Sequence, residues 1–157
     1  MIVRPLSSDD YGAYLERVEE LDAFHREALP DFFRAPEGEP ARTVEYLEAQ
    51  LGDPDVLLLG AWVDEELAGF AHAIFRNIEQ RWIMVGRREV TIDNLAVGPR
   101  WRRQGIATAL IDAVAQWARE RGARELQLDV WEANVGALRF YENVGFEPQR
   151  RRLARRI

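Results

Sequence analysis

The groups able to do covalent or acid–base chemistry are few in this chain, and their types narrow the options. There is no cysteine, and the only histidines are His25 and His72. That excludes a cysteine nucleophile, a thiolate zinc site and a disulfide framework. Three carboxylates, Glu89, Asp93 and Asp129, fall in stretches that alternate like strands, and Tyr141 falls in a short apolar helix-like stretch. A carboxylate can take a proton. A phenol, with an ordinary pKa near 10, keeps one at neutral pH and can donate it. The fourth feature is WRRQGIATAL at 101–110, where two arginines and a glutamine run into a glycine and then into small and aliphatic residues.

That stretch lies after a strand-like segment that Gly98-Pro99 stops, and it opens a helix-like one. At such a junction the first helical amides have no internal acceptor, and the macrodipole adds partial positive charge. The amides of Arg103, Gln104, Gly105, Ile106, Ala107 and Thr108 therefore form a potential anion site suited to a pyrophosphate. Gly105 and Ala107 let a ligand approach the backbone, and Arg102 and Arg103 add charge. An ordinary helix start with solvated arginines fits the segment equally well. No G-K-[ST] follows the glycine and no G-x-G-x-x-G is present, so neither nucleotide signature applies.

The elements that must hold these residues follow from periodicity. IVRPL reads as a short edge strand, and Ser7 or Ser8 can cap a helix starting near Asp9 with Tyr11, Tyr14, Leu15, Val18, Leu21 and Phe24 at helical spacing. LPDFFRAPEGEP is a proline-rich loop carrying Phe32 and Phe33; a second helix spans about 41–51. Strands are expected at 56–63 and 67–76 as a hairpin about Asp64-Glu65-Glu66, and at 88–97. Residues 77–87 read as a loop or ragged strand extension around Trp82. The helix after WRRQ places Ile106, Leu110, Ala113, Val114 and Trp117 on one face and ends at Gly122. A strand at 125–131, a short helix capped by Asn134 and a last strand from Phe146 complete the order β-α-α-β-β-β-α-β-α-β. The strand–helix–strand unit demands a parallel neighbour. The expected class is α/β (α+β), one domain over 1–157, a mixed sheet with helices on both faces.

The 157 residues carry a net charge of −6, with pI about 5.1. An acidic chain argues against a dedicated nucleic-acid binder and mildly favours a cationic substrate by steering. The exception is QRRRLARRI, where Arg150, Arg151, Arg152, Arg155 and Arg156 cluster as a solvated segment or a weak acidic-partner site. No apolar run approaches the roughly 20 residues of a membrane span, and the first residues lack a signal-peptide core, so no membrane partner and a cytoplasmic location are expected.

R-x-x-G-x-A (Arg102, Gly105, Ala107), preceded by L-A-V-x-P (Leu95–Pro99), resembles the acyl-CoA loop of the GCN5-related N-acetyltransferase (GNAT) superfamily. ELQLDVWEAN followed by ALRFYENVGF resembles that family's later signature. The motifs cover about residues 88–147, and the element order extends the likeness to nearly the whole chain. The resemblance implies a mostly antiparallel sheet whose fourth and fifth strands splay apart, with acetyl-CoA as cosubstrate in the gap and no metal. It implies that Leu95, Ala96 and Val97 line the pantetheine arm and that Arg102 and the amides of 103–108 hold the pyrophosphate. An N–H near Leu95 would polarise the thioester carbonyl. Tyr141 takes the place of a general acid, and Asn134 contacts CoA or orders its turn. Asp129, Glu89 and Asp93 are the candidates for base, the last two sharing a pleat face if no bulge intervenes. His72 reads as a satisfied sheet histidine and His25 as a residue near the acceptor cleft. The loop with Phe32 and Phe33 falls where the family binds its acceptor amine.

Many relatives have two strands after the G-F pair, whereas EPQRRRLARRI suffices for one. A homodimer completing the sheet through that strand is therefore expected. The rival reading is a non-catalytic acyl-CoA-binding sensor module.

Overall fold

The structure, a computed structural model, describes residues 1–155 and 157. The elements run β1 (Ile2–Pro5), α1 (Tyr11–Ala28), α2 (Val44–Gly52), β2 (Val56–Val63), β3 (Glu66–Ile78), β4 (Arg87–Val97), α3 (Ile106–Glu120), β5 (Glu125–Leu128) and α4 (Val135–Asn143). The five strands form one sheet in chain order, antiparallel throughout except for the parallel pair β4–β5.

Alternation along the strands divides the core in two. Leu59, Ala71, Ala73, Val90 and Ile92 face α3, which answers with Ile106, Leu110 and Val114. Leu58, Leu67 and Phe70 face the other way, onto Tyr14 and Val18 of α1 and Leu47 of α2. Helices thus cover both faces, as the periodicity requires. The β2–β3 hairpin closes with Val63 opposite Glu66. Asp64 and Glu65 both take positive φ, 49° and 64°, the backbone of a two-residue turn matched to strand twist.

Three expectations change. The second helix starts at Val44, where Thr43 accepts from the Tyr46 amide and caps it, rather than at 41. β5 stops at Leu128 instead of 131. The last strand is not formed: no strand pairing occurs among the described residues after Phe146. Pro148 removes a ladder donor and consecutive arginines repel one another, with Leu153 exposed among them. Arg156 of that cluster lies outside the described residues. The homodimer inferred from that strand has no strand to rest on.

Gly69 sits where β3 passes beneath the end of β4 and the start of α3. A Cβ there would lie 2.6 Å from the Ala96 carbonyl oxygen and 3.1 Å from Val97 Cγ2. The Ala96 contact is with backbone, so relief requires moving the strand. Gly69→Ala should destabilise the fold by about 1–3 kcal/mol, as overpacking does. That lowers the thermal midpoint by roughly 2–10 °C; an unchanged midpoint would contradict the packing described.

Candidate active site

The pairing of β4 with β5 ends at Ile92↔Leu128, yet β4 continues to Val97 along β3. Between them lies a bulge: Ala73 pairs with Ile92 and His72 with Asn94, which leaves Asp93 as the extra residue. A bulge bends and twists its strand, so β4 turns away from β5 at Asp93 and a gap opens. The ladder fixes what faces that gap. The Gly98 amide donates to the Ala68 carbonyl, making 98/68 a hydrogen-bonded pair. By alternation, Phe70/Ala96 is another, while Val97 and Leu95 turn their N–H and C=O groups away from β3. Leu95 and Val97 therefore present backbone groups to the gap, and Ala96 presents its own to β3.

At the far end of β4, a short 3-10 turn (Pro99–Trp101) leads into the WRRQG loop. Arg103 takes φ 61° and Gly105 φ 80°, a pair of left-handed residues that curls the backbone before α3. The Gly105 carbonyl accepts from the Ala109 amide. The six amides from Arg103 to Thr108 donate to no acceptor among the described residues. Ile106 buries its side chain while its amide stays free. A Cβ on Gly105 would meet nothing within 4 Å, so the loop opens to an approaching ligand. The arginines contribute differently. Arg102 folds back so that Nε donates to the Val97 carbonyl at 3.3 Å, and Gln104 donates to the Arg100 carbonyl at 3.0 Å. The anion cradle is thus chiefly backbone.

The carboxylates separate cleanly. Glu89 is buried and accepts from Arg87 Nε at 2.8 Å and Gln127 at 3.2 Å, which makes it a structural link between β4 and β5. Asp129 stands beyond the end of β5, with a side chain 90% exposed and Arg150 3.9 Å away. Asp93 is on the bulge itself, half exposed, with His72 Nδ1 3.4 Å from its Oδ2. The shared pleat face expected of Glu89 and Asp93 fails because the bulge intervenes. His72, chiefly by its hydrogen-bonding contact and then by charge, holds the Asp93 carboxyl below its ordinary value; burial pulls the other way, and Arg42 and Arg76 assist His72. His72 is not a satisfied sheet histidine, since its Nε2 is buried without a partner. The other ring nitrogen, Nδ1, is the one that faces Asp93.

Tyr141 packs between Phe140 and Phe146, with ring centroids 5.4 and 5.6 Å away. It shares the α3-side core with Leu95, Val97 and Leu128, and burial pushes its phenol above its usual pKa. Asn134 caps α4 by accepting from the Ala137 amide at 3.1 Å. The proline-rich loop brings Phe32 and Phe33 onto Trp131, at 5.0 and 5.8 Å, and Phe33 stacks on His25. Sequence reasoning missed Arg42. It donates to Asp22 at 2.9 Å and to Asn94 at 3.3 Å, and Asn94 in turn donates to Asp93 at 2.6 Å. No periodicity marks a loop arginine that is fixed only by tertiary partners.

The acetyltransferase (GNAT) family model matches residues 21–146, and the chain belongs to that family. Streptothricin acetyltransferase of Streptomyces lavendulae is 37% identical over 83 residues, 53% of this chain and 40% of that protein. The chain spans only 28–40% of the length of several curated relatives. A tetramutant of the BH1408 protein of Bacillus halodurans has the same fold, with a TM-score of 0.94 at 22% identity over 100% of both chains. Aminoglycoside N-acetyltransferase AAC(6')-Iy, solved in complex with CoA, gives 0.73 at 20% identity over 99% of this chain and 98% of that one.

Gly105→Val places a β-branched residue at φ 80°, a strain of about 1–3 kcal/mol, and puts a side chain where a ligand must pass. It should weaken acetyl-CoA binding more than Arg102→Ala does, measured by calorimetry. The opposite order would mean that cations, not amides, hold the anion.

Proposed function

We propose that the chain transfers the acetyl group of acetyl-CoA directly to a primary amine. The observation that carries this reading is the juxtaposition of two backbone surfaces that no strand pairs: six free amides at the start of α3 and the gap-facing edge of Leu95 and Val97, on which the Val97 carbonyl alone is held, by Arg102 Nε. The first suits a pyrophosphate and the second an amide-bearing arm that pairs like a strand. Membership of an acetyltransferase family and the CoA complex of a protein with the same fold support the match. Acetyl-CoA bound there supplies the activated acetyl group as a thioester.

The protein's own residues then have three tasks. The Leu95 N–H, at the mouth of the gap, donates toward a carbonyl oxygen whose charge grows during attack. Asp93 guides to water the proton that an ammonium must lose before its nitrogen can attack. Kept acidic by His72, it stays ionised through the neutral range, so it acts by attracting the ammonium and relaying the proton through water. Tyr141 holds a proton on its phenol oxygen for the departing sulfur. As the new C–N bond forms and the C–S bond breaks, Tyr141 protonates the departing sulfur; the second proton, which the nitrogen sheds as it becomes an amide, passes to water, from which Tyr141 is reprotonated.

Release of free thiol from acetyl-CoA across a panel of amines tests this reading; binding of acetyl-CoA with no turnover on any amine would indicate a sensor module instead. Tyr141→Phe and Asp93→Asn should each lower kcat by about 10²-fold or more, the usual size of acid–base contributions, with little change in CoA affinity. The pH profile has a definite sign. Asp93 titrates below its ordinary value, so its ionisation imposes no limit above about pH 4, and the rise of kcat/KM with pH belongs to the acceptor amine. Tyr141 must be protonated, so activity falls only above pH 10. A basic limb near pH 8 would remove Tyr141 from the acid role.

A further inference from the structure

Between α1, α2 and the loop that joins them lies an open hollow of about 470 Å³ whose charge contradicts that of the chain as a whole. Its rim carries Arg26, Arg34 and Arg42 against one acidic residue, Asp22, and its walls include Phe33 and Tyr46. Arg26 and Arg34 pair with Glu19 at 3.8 Å and Glu37 at 3.0 Å. Neither glutamate lines the hollow, and exposed pairs of this kind are weak enough to exchange for a ligand.

Arg42 is different. Its side chain is only 20% exposed, one nitrogen is tied to Asp22 and the other to Asn94, and its own carbonyl accepts from the Tyr11 hydroxyl at 3.1 Å. A guanidinium has five donors. Two are used, and the plane is held still by partners on α1 and β4. Fixing the fork in advance lowers the entropy lost when it binds a carboxylate. Through Asn94 the same group connects to Asp93 on the bulge. A guanidinium for an anion and a carboxylate for an ammonium are therefore joined through a single side chain, that of Asn94.

We propose that the acceptor carries a carboxylate as well as its amine, with Arg42 binding the carboxylate while Asp93 draws the amine. The substrate class is amino-acid-like. This rests on the acetyltransferase reading and names its acceptor, and it reverses the cationic preference that the chain's net charge suggests. Arg26 and Arg34 reinforce the field around the anchored arginine.

The test uses ω-amino acids of three to six carbons paired with the corresponding ω-amino amides, whose amines differ little in basicity. The expected result is a kcat/KM at least tenfold higher for the acid than for the amide, the order of a charge-assisted hydrogen-bond pair, with an optimum chain length. Diamines of equal length should be poorer still. Arg42→Gln and Arg42→Lys should bring the acid-to-amide ratio near one through KM, with acetyl-CoA affinity retained. Arg34→Gln, on the exposed rim, should lower the ratio only two- to threefold, which covers the case of an Arg42 variant that folds poorly. Equal use of acid and amide, or preference for diamines, would overturn the proposal while leaving acetyl transfer intact. Binding of the same pairs to the CoA-loaded protein reads the preference without turnover: preference for the acid there, with no thiol release from any amine, would sink the transferase reading and leave the anion site standing. Dipeptides with a free or amidated C-terminus distinguish a free amino acid from a peptide terminus as the source of the carboxylate.

Discussion

Everything in the candidate site depends on one extra residue in β4. Asp93 has no backbone ladder partner on β3, and the bulge it makes follows the last pair with β5, Ile92↔Leu128. Without it, β4 and β5 would pair to their ends, the backbone of Leu95 and Val97 would be satisfied within the sheet, and no gap would exist. The bulge also swings the Asp93 carboxylate out to meet His72 on one side and Asn94 on the other. A single backbone irregularity thus creates the slot, exposes its hydrogen-bonding edge and positions the acidic group beside it.

Much of the architecture could be read from the residues. The spacing of Ile106, Leu110 and Val114 identified α3 because its buried face is strictly periodic, and the continuous apolar run VLLLGAWV at 56–63 follows from a strand covered on both sides. The row of unpaired amides before α3 was legible because it depends on local geometry: a strand, a breaker, a glycine and a helix start. The failures share a cause. The alternation of 125–131 continues past Leu128, but pairing stops where β4 bends away, and that bend is recorded on another strand. The segment after Phe146 has strand-like length, yet its arginines have no sheet to join. Asp93 and Glu89 look equivalent by period-two counting, and only the bulge sets them apart. Arg42 carried no signal at all, since its meaning comes from Asp22, Asn94 and Tyr11, distant in sequence.

Charge shows the same division between global and local. A net charge of −6 says something about solubility and long-range steering, but little about a hollow a few ångströms across. There, Arg42 is largely buried and fixed by hydrogen bonds, so its immediate neighbours dominate. Two further local fields matter: His72 sets Asp93, and burial sets Tyr141, pushing one group to stay ionised and the other to stay protonated.

Hydrogen–deuterium exchange with and without CoA reads the two backbone surfaces most directly. Slowed exchange should appear at the amides of Arg103–Thr108 and at Leu95 and Val97, with Ala96, already bonded to β3, unchanged. Protection confined to the arginine-rich end, or absent from both surfaces despite CoA binding, would contradict the assignment of the gap between β4 and β5 as the acyl-CoA site.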